Sequence, residues 1–195
     1  VSGLVIGLTG KKRSGKGEFA RRLVEEHGFT QVSLAGPLKD AALELDPVIG
    51  VEFSGRGSDF DAIRLSEIVD TLGWEQAKEI REVRRTLQHM GVGVRNLDED
   101  FWLRIALERI GDTPGPVVVD DVRFPNEADA VQLLGHLVRI VRPGLESDDT
   151  HDSETALDDW PVNFTIHNSR DLEWLHLNAD AIARALLKAQ RELIK

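Results

Sequence analysis

A chain that runs Val5-Ile6-Gly7-Leu8-Thr9 into Gly10-Lys11-Lys12-Arg13-Ser14-Gly15-Lys16-Gly17-Glu18 has few folds open to it. A short apolar run ends in a glycine, small and basic residues follow, and Phe19, Leu23 and Val24 then set the apolar spacing of a helix. This is the strand, loop and helix order of a phosphate-binding P-loop, G-x-x-x-x-G-K-[ST], matched at Gly10, Gly15 and Lys16. Glycines let the backbone wrap a polyphosphate with N–H groups inward, the helix N-terminus adds its positive end, and the lysine reaches the β and γ oxygens. Lys12, Arg13 and Ser14 complete the loop. Gly17 departs from the pattern, standing where Ser or Thr gives a hydroxyl to Mg²⁺. Ser14 or Glu18 could compensate, although Glu18 would bring charge near anionic phosphates and has the alternative of facing solvent. The stretch is read as a nucleoside triphosphate site.

The rest of the chain supplies a frame for such a loop. Residues 17–27 read as an amphipathic helix ending at His27-Gly28, and Phe29 to Leu34 as a second strand. Pro37 suits the first turn of a helix running to about Leu45. Residues 46–61, with Pro, several Gly and few periodic apolar positions, read as a loop. Helices are expected over about 62–72, stopped by Gly73, over about 75–90, and over 98–110 with Asp98 as N-cap. Val117-Val118-Val119-Asp120-Asp121 is a β-branched run ending in acid, the pattern of a central parallel strand. A helix from Pro125 stopped by Gly135, a strand over Leu137–Val141, a short strand at Phe164–Ile166 and a closing helix from Asp171 to about Leu193 complete the order. Strands alternating with helices imply an α/β fold with an open parallel sheet covered on both sides. Ligands in such sheets sit beyond the carboxyl ends of the strands, where Lys16, Asp120 to Arg123 and Arg142 would emerge.

Bulk properties narrow the function. At 195 residues, 41% hydrophobic and 30% charged, the chain suits one globular domain. A net charge of -10 argues against a nucleic-acid-coating surface but leaves room for a local basic pocket. Zero cysteines removes disulfides, thiolate metal sites and a cysteine nucleophile together. With no signal-peptide pattern and no run of membrane-span length, a cytoplasmic protein is expected.

Asp120 and Asp121 are the candidates for Mg²⁺; one can hold metal while the other caps the following turn, and sequence does not say which. Lys39, Arg81, Arg84, Arg85, Arg123 and Arg142 offer phosphate recognition, since guanidinium groups bind phosphate in bidentate fashion. The helical arginines have an alternative as a solvated face paired with Glu79 or Glu82. Arg123 and Arg142, at strand ends, are the better candidates. His151 and Glu154 have no companions at metal-ligand spacing, so they either line the nucleotide site from a lid or lie in a surface loop.

Several blocks together are more specific than the P-loop. Leu34-Ala35-Gly36-Pro37-Leu38-Lys39, Arg85-Thr86-Leu87-Gln88-His89-Met90-Gly91 and Asp121-Val122-Arg123-Phe124-Pro125-Asn126-Glu127-Ala128 are followed by Arg142-Pro143-Gly144, His151-Asp152-Ser153-Glu154 and Ile166-His167-Asn168-Ser169. With these the chain resembles the bacteriophage-type deoxynucleoside monophosphate kinases, a branch of the P-loop NMP kinases. The resemblance implies a three-layer P-loop kinase fold in one domain over 1–195: a core of about 1–34, 96–141 and 162–195, a helical NMP-binding insert of about 35–95 and a short lid of about 142–161. It implies transfer of the ATP γ-phosphate to a deoxynucleoside monophosphate with Mg²⁺, nucleotides being the partners and neither nucleic acid nor membrane. Lys16, Arg123, Arg142 and Asp121 then become catalytic candidates, and Lys39, Arg85, Gln88, Arg123, His151 and Glu154 candidates for substrate. Asn168 falls in the loop near the donor adenine. Another small-molecule P-loop kinase, such as a dephospho-coenzyme A kinase, is the nearest alternative, and Gly17 keeps open a non-catalytic nucleotide-binding protein. Base preference, deoxyribose preference and a homodimer are left open.

Overall fold

The computed structural model describes residues 3–53, 60–145 and 155–193. The chain divides into two compact units, residues 1–34 with 106–195 and residues 35–105, the division falling within one helix, α5 (Phe101–Asp112).

The first unit is built on a five-stranded sheet in the order β2-β5-β1-β6-β7, every neighbouring pair parallel. Its strands are β1 (Val5–Thr9), β2 (Thr30–Val32), β5 (Val117–Val119), β6 (Gly135–Val141) and β7 (Phe164–His167). The central strand β1 is buried along its whole length, as its unbroken apolar run requires when helices cover both faces. On one face Ile6 and Leu8 pack with Phe19 and Leu23 of α1 (Lys16–His27) and Leu175, Ala179 and Ala183 of α7 (Leu172–Leu193). On the other, α6 (Pro125–Leu134) lies so close to β1 that a Cβ on Gly7 would meet Val131 Cγ1 at 2.5 Å. Register places Thr9 beside Arg139 and Gly7 beside Val119, so the loop after β1 opens between the ends of β5 and β6.

One polar cluster locks α1 to α7. Asp180, 6% exposed, accepts hydrogen bonds from Arg22 Nε and Nη2, both at 2.9 Å, and lies 2.9 Å from His27 Nε2. Arg22 first, and His27 after it, hold the Asp180 carboxyl far below the usual carboxylate range against the opposing effect of burial. Removing one partner of a buried pair strands the others, so Asp180→Ala should cost about 3 kcal/mol in urea unfolding. The sign of the pH effect follows: with a depressed native pKa, this stabilisation is complete above the unfolded value near about 3.9 and is lost as pH falls below it. An Asp180→Asn protein should therefore lose less stability than wild type between neutral pH and the acid limb.

The second unit holds α2 (Gly36–Leu45), α3 (Leu65–Ala77), α4 (Arg81–Arg95) and an antiparallel pair, β3 (Val48–Phe53) with β4 (Phe60–Arg64). Ala42, Leu65, Ala77 and Val83 form its core, with Trp74, Leu87 and Met90 packed around them. The β3–β4 pair corrects the loop expected over 46–61. Val48, Val51, Phe53 and Phe60 are exposed and Phe53 meets Phe60 edge-on, so the strands hold by cross-strand pairing with little burial to leave a periodic trace. Gly73 (φ 71°, ψ 162°) does stop the helix, so α3 is two helices meeting at a kink there, and the expected 75–90 helix is divided between its second piece, ending at Ala77, and α4 from Arg81. Asp98 accepts Asp100 N–H and pairs with Arg104 in the turn before α5, rather than opening a helix at 98.

Candidate active site

The loop between β1 and α1 turns on two glycines. Gly10 (φ 133°) and Gly15 (φ 111°) occupy backbone conformations that L side chains rarely adopt, and a Cβ would meet Ile140 O at 2.3 Å from the first and Asn168 Nδ2 at 2.7 Å from the second. Their lack of side chains is thus a condition for the cradle. Arg13 also sits at positive φ and points outward, exposed like Lys12. Ser14 is 2% exposed and its Oγ is buried without a hydrogen-bond partner, an acceptor-donor inside the loop that the protein itself leaves unsatisfied. Lys16 Nζ bends back on the loop, donating to Gly10 O at 2.5 Å and Lys11 O at 3.0 Å. Asn168, at the end of β7, donates from Nδ2 to Ser14 O at 2.9 Å and so braces the loop from behind. Gly17 is exposed and a Cβ there would meet nothing within 4 Å, so steric need does not explain its glycine. Glu18 turns to α7 instead: it pairs with Arg21 and lies 2.8 Å from His176 Nε2, and Arg21, then His176, lower its pKa.

A cavity of about 230 Å³ opens beside the loop, lined by Gly10, Lys11, Ser14, Arg123, Arg139, Arg142, Leu157 and Asp158 among others. Among the described residues four of the lining side chains are cationic (Lys11, Arg123, Arg139, Arg142) against one carboxylate, Asp158. In a chain of net charge -10 this is a local reversal of sign, suited to a polyanion. Arg123 is positioned by α6: Glu127 reaches back to accept the backbone N–H groups of Arg123 at 2.8 Å and Phe124 at 3.1 Å, with Pro125 opening the helix. Arg142 follows β6 and is exposed at the cavity. Asp121 accepts from Ser33 Oγ at 2.6 Å and Leu34 N at 2.8 Å, tying the end of β5 to the end of β2; Asp120 lies just before it.

The structure therefore brings Gly10, Ser14, Arg123 and Arg142 to one cavity, with Gly15, Lys16 and Asn168 in the adjoining loop wall. Lys39, Arg85 and Gln88 belong to the second unit. There Lys39 Nζ lies 5.7 Å from the Trp74 ring centre, and Arg85, exposed like Gln88, is 3.5 Å from Glu82. Arg84 instead binds Lys78 O and Glu79, a helix-start contact. His151 and Glu154 lie outside the described residues. Three cavity residues escaped the sequence reading: Lys11, Arg139 and Asp158. Lys11 had a signal available as one of three lysines in the loop, with Lys12 and Lys16, whereas the other two declare themselves only through tertiary contacts.

Parallel sheet, glycine cradle and cationic cavity define a P-loop protein of three-layer α/β fold. The Thermus thermophilus protein TT1252 shares that fold, with a TM-score of 0.50 at 14% identity over 95% of this chain and 99% of its own. The family model for deoxynucleotide monophosphate kinase matches residues 51–178. A relative in Acanthamoeba polyphaga mimivirus is 32% identical over 162 residues, 79% of this chain and 82% of its own length. The deoxynucleotide monophosphate kinase of Enterobacteria phage T4 is 25% identical over 228 residues, 88% and 95% respectively. The chain belongs to the deoxynucleotide monophosphate kinase family. No helix among the described residues is long and apolar enough to cross a membrane.

Proposed function

We propose that the protein transfers the γ-phosphate of ATP to a deoxynucleoside monophosphate, giving the diphosphate and ADP. The observation that carries this reading is the unsatisfied Ser14 Oγ in a glycine-shaped loop facing a cavity lined by Lys11, Arg123 and Arg142. An acceptor phosphate oxygen attacks the γ-phosphorus in line, and the bond to the β–γ bridging oxygen breaks with its electrons leaving on ADP. No covalent enzyme intermediate is needed, because positioning and neutralisation of the spread charge do the work. Loop amides, Ser14 and Lys16 hold the donor tail, the Lys16 ammonium moving from loop carbonyls to phosphate oxygens. Lys12 and Gly17 stand in the same loop, Arg13 and Glu18 turn away from the tail, and Asn168 keeps the loop in shape. Arg123 and Arg142 take up charge at the transferring group; the family resemblance makes Lys39, Arg85 and Gln88, in the second unit, the candidates for the acceptor.

Mg²⁺ fits this donor set. It takes one or two carboxylates and leaves its other positions to phosphate and water, so the acids at the end of β5 suffice without a larger cluster. Asp120 and Asp121 are the two carboxylates that would hold it, Asp121 while also accepting from Ser33 Oγ and Leu34 N. Held there, the ion would supply charge neutralisation to the phosphates.

A coupled ADP-release assay with Mg²⁺-ATP across deoxy- and ribonucleoside monophosphates, with dephospho-coenzyme A as a further acceptor, tests the proposal. Turnover with one or more deoxynucleoside monophosphates is expected. Turnover confined to dephospho-coenzyme A, or ATP binding without transfer to any acceptor, would refute it.

A further inference from the structure

Asp158, the acid among the described residues that line the cavity, has a definite attachment. Asp158 Oδ2 lies 3.3 Å from Nζ of Lys11, inside the phosphate loop. Its place is set from the sheet: Arg139 Nη2, on β6, donates to Leu157 O at 2.5 Å and Trp160 O at 2.7 Å, on either side of Asp158. Leu157 is buried at 5% exposure, and Asp158 N–H closes the turn on Thr155 O at 3.0 Å. Trp160 is held in turn by Nε1 donating to Gln132 Oε1 at 3.2 Å. A half-exposed acid on a free loop would wander; this one is hung from a buried anchor and a two-carbonyl guanidinium bridge.

We propose that Asp158, positioned by Arg139, is a built-in competitor for Lys11 that an incoming polyphosphate must displace, so that the pair sets affinity for the donor. This rests on the donor-loop reading above. Like phosphate, a carboxylate presents anionic oxygens to an ammonium, and the two cannot both hold Lys11 at full strength. Both partners are substantially solvated, so the competition is modest: an exposed pair of this kind limits the gain on releasing Lys11 to about two- to fivefold in Kd.

Calorimetric titration of the whole protein tests it, using ATP and, separately, inorganic tripolyphosphate, both without Mg²⁺. Asp158→Asn should tighten both ligands by about two- to fivefold, and the gain should vanish in the Lys11→Met background. It should also vanish in an Arg139→Met background and return with Arg139→Lys, which a merely structural role for Arg139 would not produce. Folded wild-type protein that binds neither ligand would overturn the donor-loop reading itself. Wild-type binding with Asp158→Asn unchanged or weaker, or a gain that persists without Lys11, would overturn only the role of Asp158. So would weaker ATP binding by Asp158→Asn seen solely when Mg²⁺ is restored, since that outcome makes the acid a metal ligand.

Discussion

Lys16→Ala is expected to lower turnover by about 10²- to 10³-fold while the protein remains folded. The two halves of that expectation have separate physical origins. In the structure the ammonium donates to Gly10 O and Lys11 O, both in its own loop. Removing it strands two carbonyls at a half-buried loop edge where water can replace it, so the stability loss should stay near about 1 kcal/mol. In the proposed reaction the same ammonium faces charge that grows on the β and γ oxygens, from the position that the loop pattern reserves for its lysine. Its loss therefore falls on the transition state. Thermal unfolding and steady-state ADP release on the same preparation separate the halves, and Lys16→Met, which keeps the aliphatic stem, should behave alike. Near-normal turnover in a folded variant would remove Lys16 from the mechanism and with it the reading of the loop.

Why that loop was readable in advance, and its surroundings were not, comes down to the range of the interactions. Gly10 to Lys16 are contiguous: each glycine answers a local backbone angle, so the pattern is written where it acts. Likewise β1 and β5 needed no partner to be recognised, since an unbroken apolar run already implies cover on both faces. The hydrogen bond from Asn168 to Ser14 spans 154 positions, and the residue, placed near the donor base by family resemblance, proves to touch the loop backbone. Arg139 carried no distinction in sequence because it sits in an apolar strand as an apparent solvent-facing residue; its value comes from two carbonyls about twenty positions on. Asp158 was lost in a generally acidic segment for the same reason. The β3–β4 pair was missed for a different one. Glycine and proline in the stretch signal a turn, and strands exposed on both sides keep no period-two pattern to outweigh them.

Arg123→Ala should reduce turnover by about 10²-fold, against no measurable change for Arg191→Ala, an exposed arginine on α7. The contrast follows from what fixes each side chain. Arg191 stands on the outer end of a long helix, where a guanidinium is hydrated and loses little by removal. Arg123 follows the strand end Val119-Asp120-Asp121, and its backbone N–H is pinned by Glu127, so the residue is delivered to the cavity by the start of α6 rather than by chance. A group held this way requires little reorganisation when charge develops in front of it, which is the condition for a donor to act mainly on kcat. Glu127→Ala then offers a graded version of the same experiment. It leaves the guanidinium in place but frees the backbone beneath it, so kcat should fall by a smaller factor, about tenfold, with partial recovery in Glu127→Gln, whose amide oxygen can still accept both N–H groups. Equal kinetics for Arg123→Ala and Arg191→Ala would place the transferring phosphate elsewhere. A Glu127→Ala loss confined to stability, with kcat intact, would leave Arg123 in the site but deny that the helix start positions it.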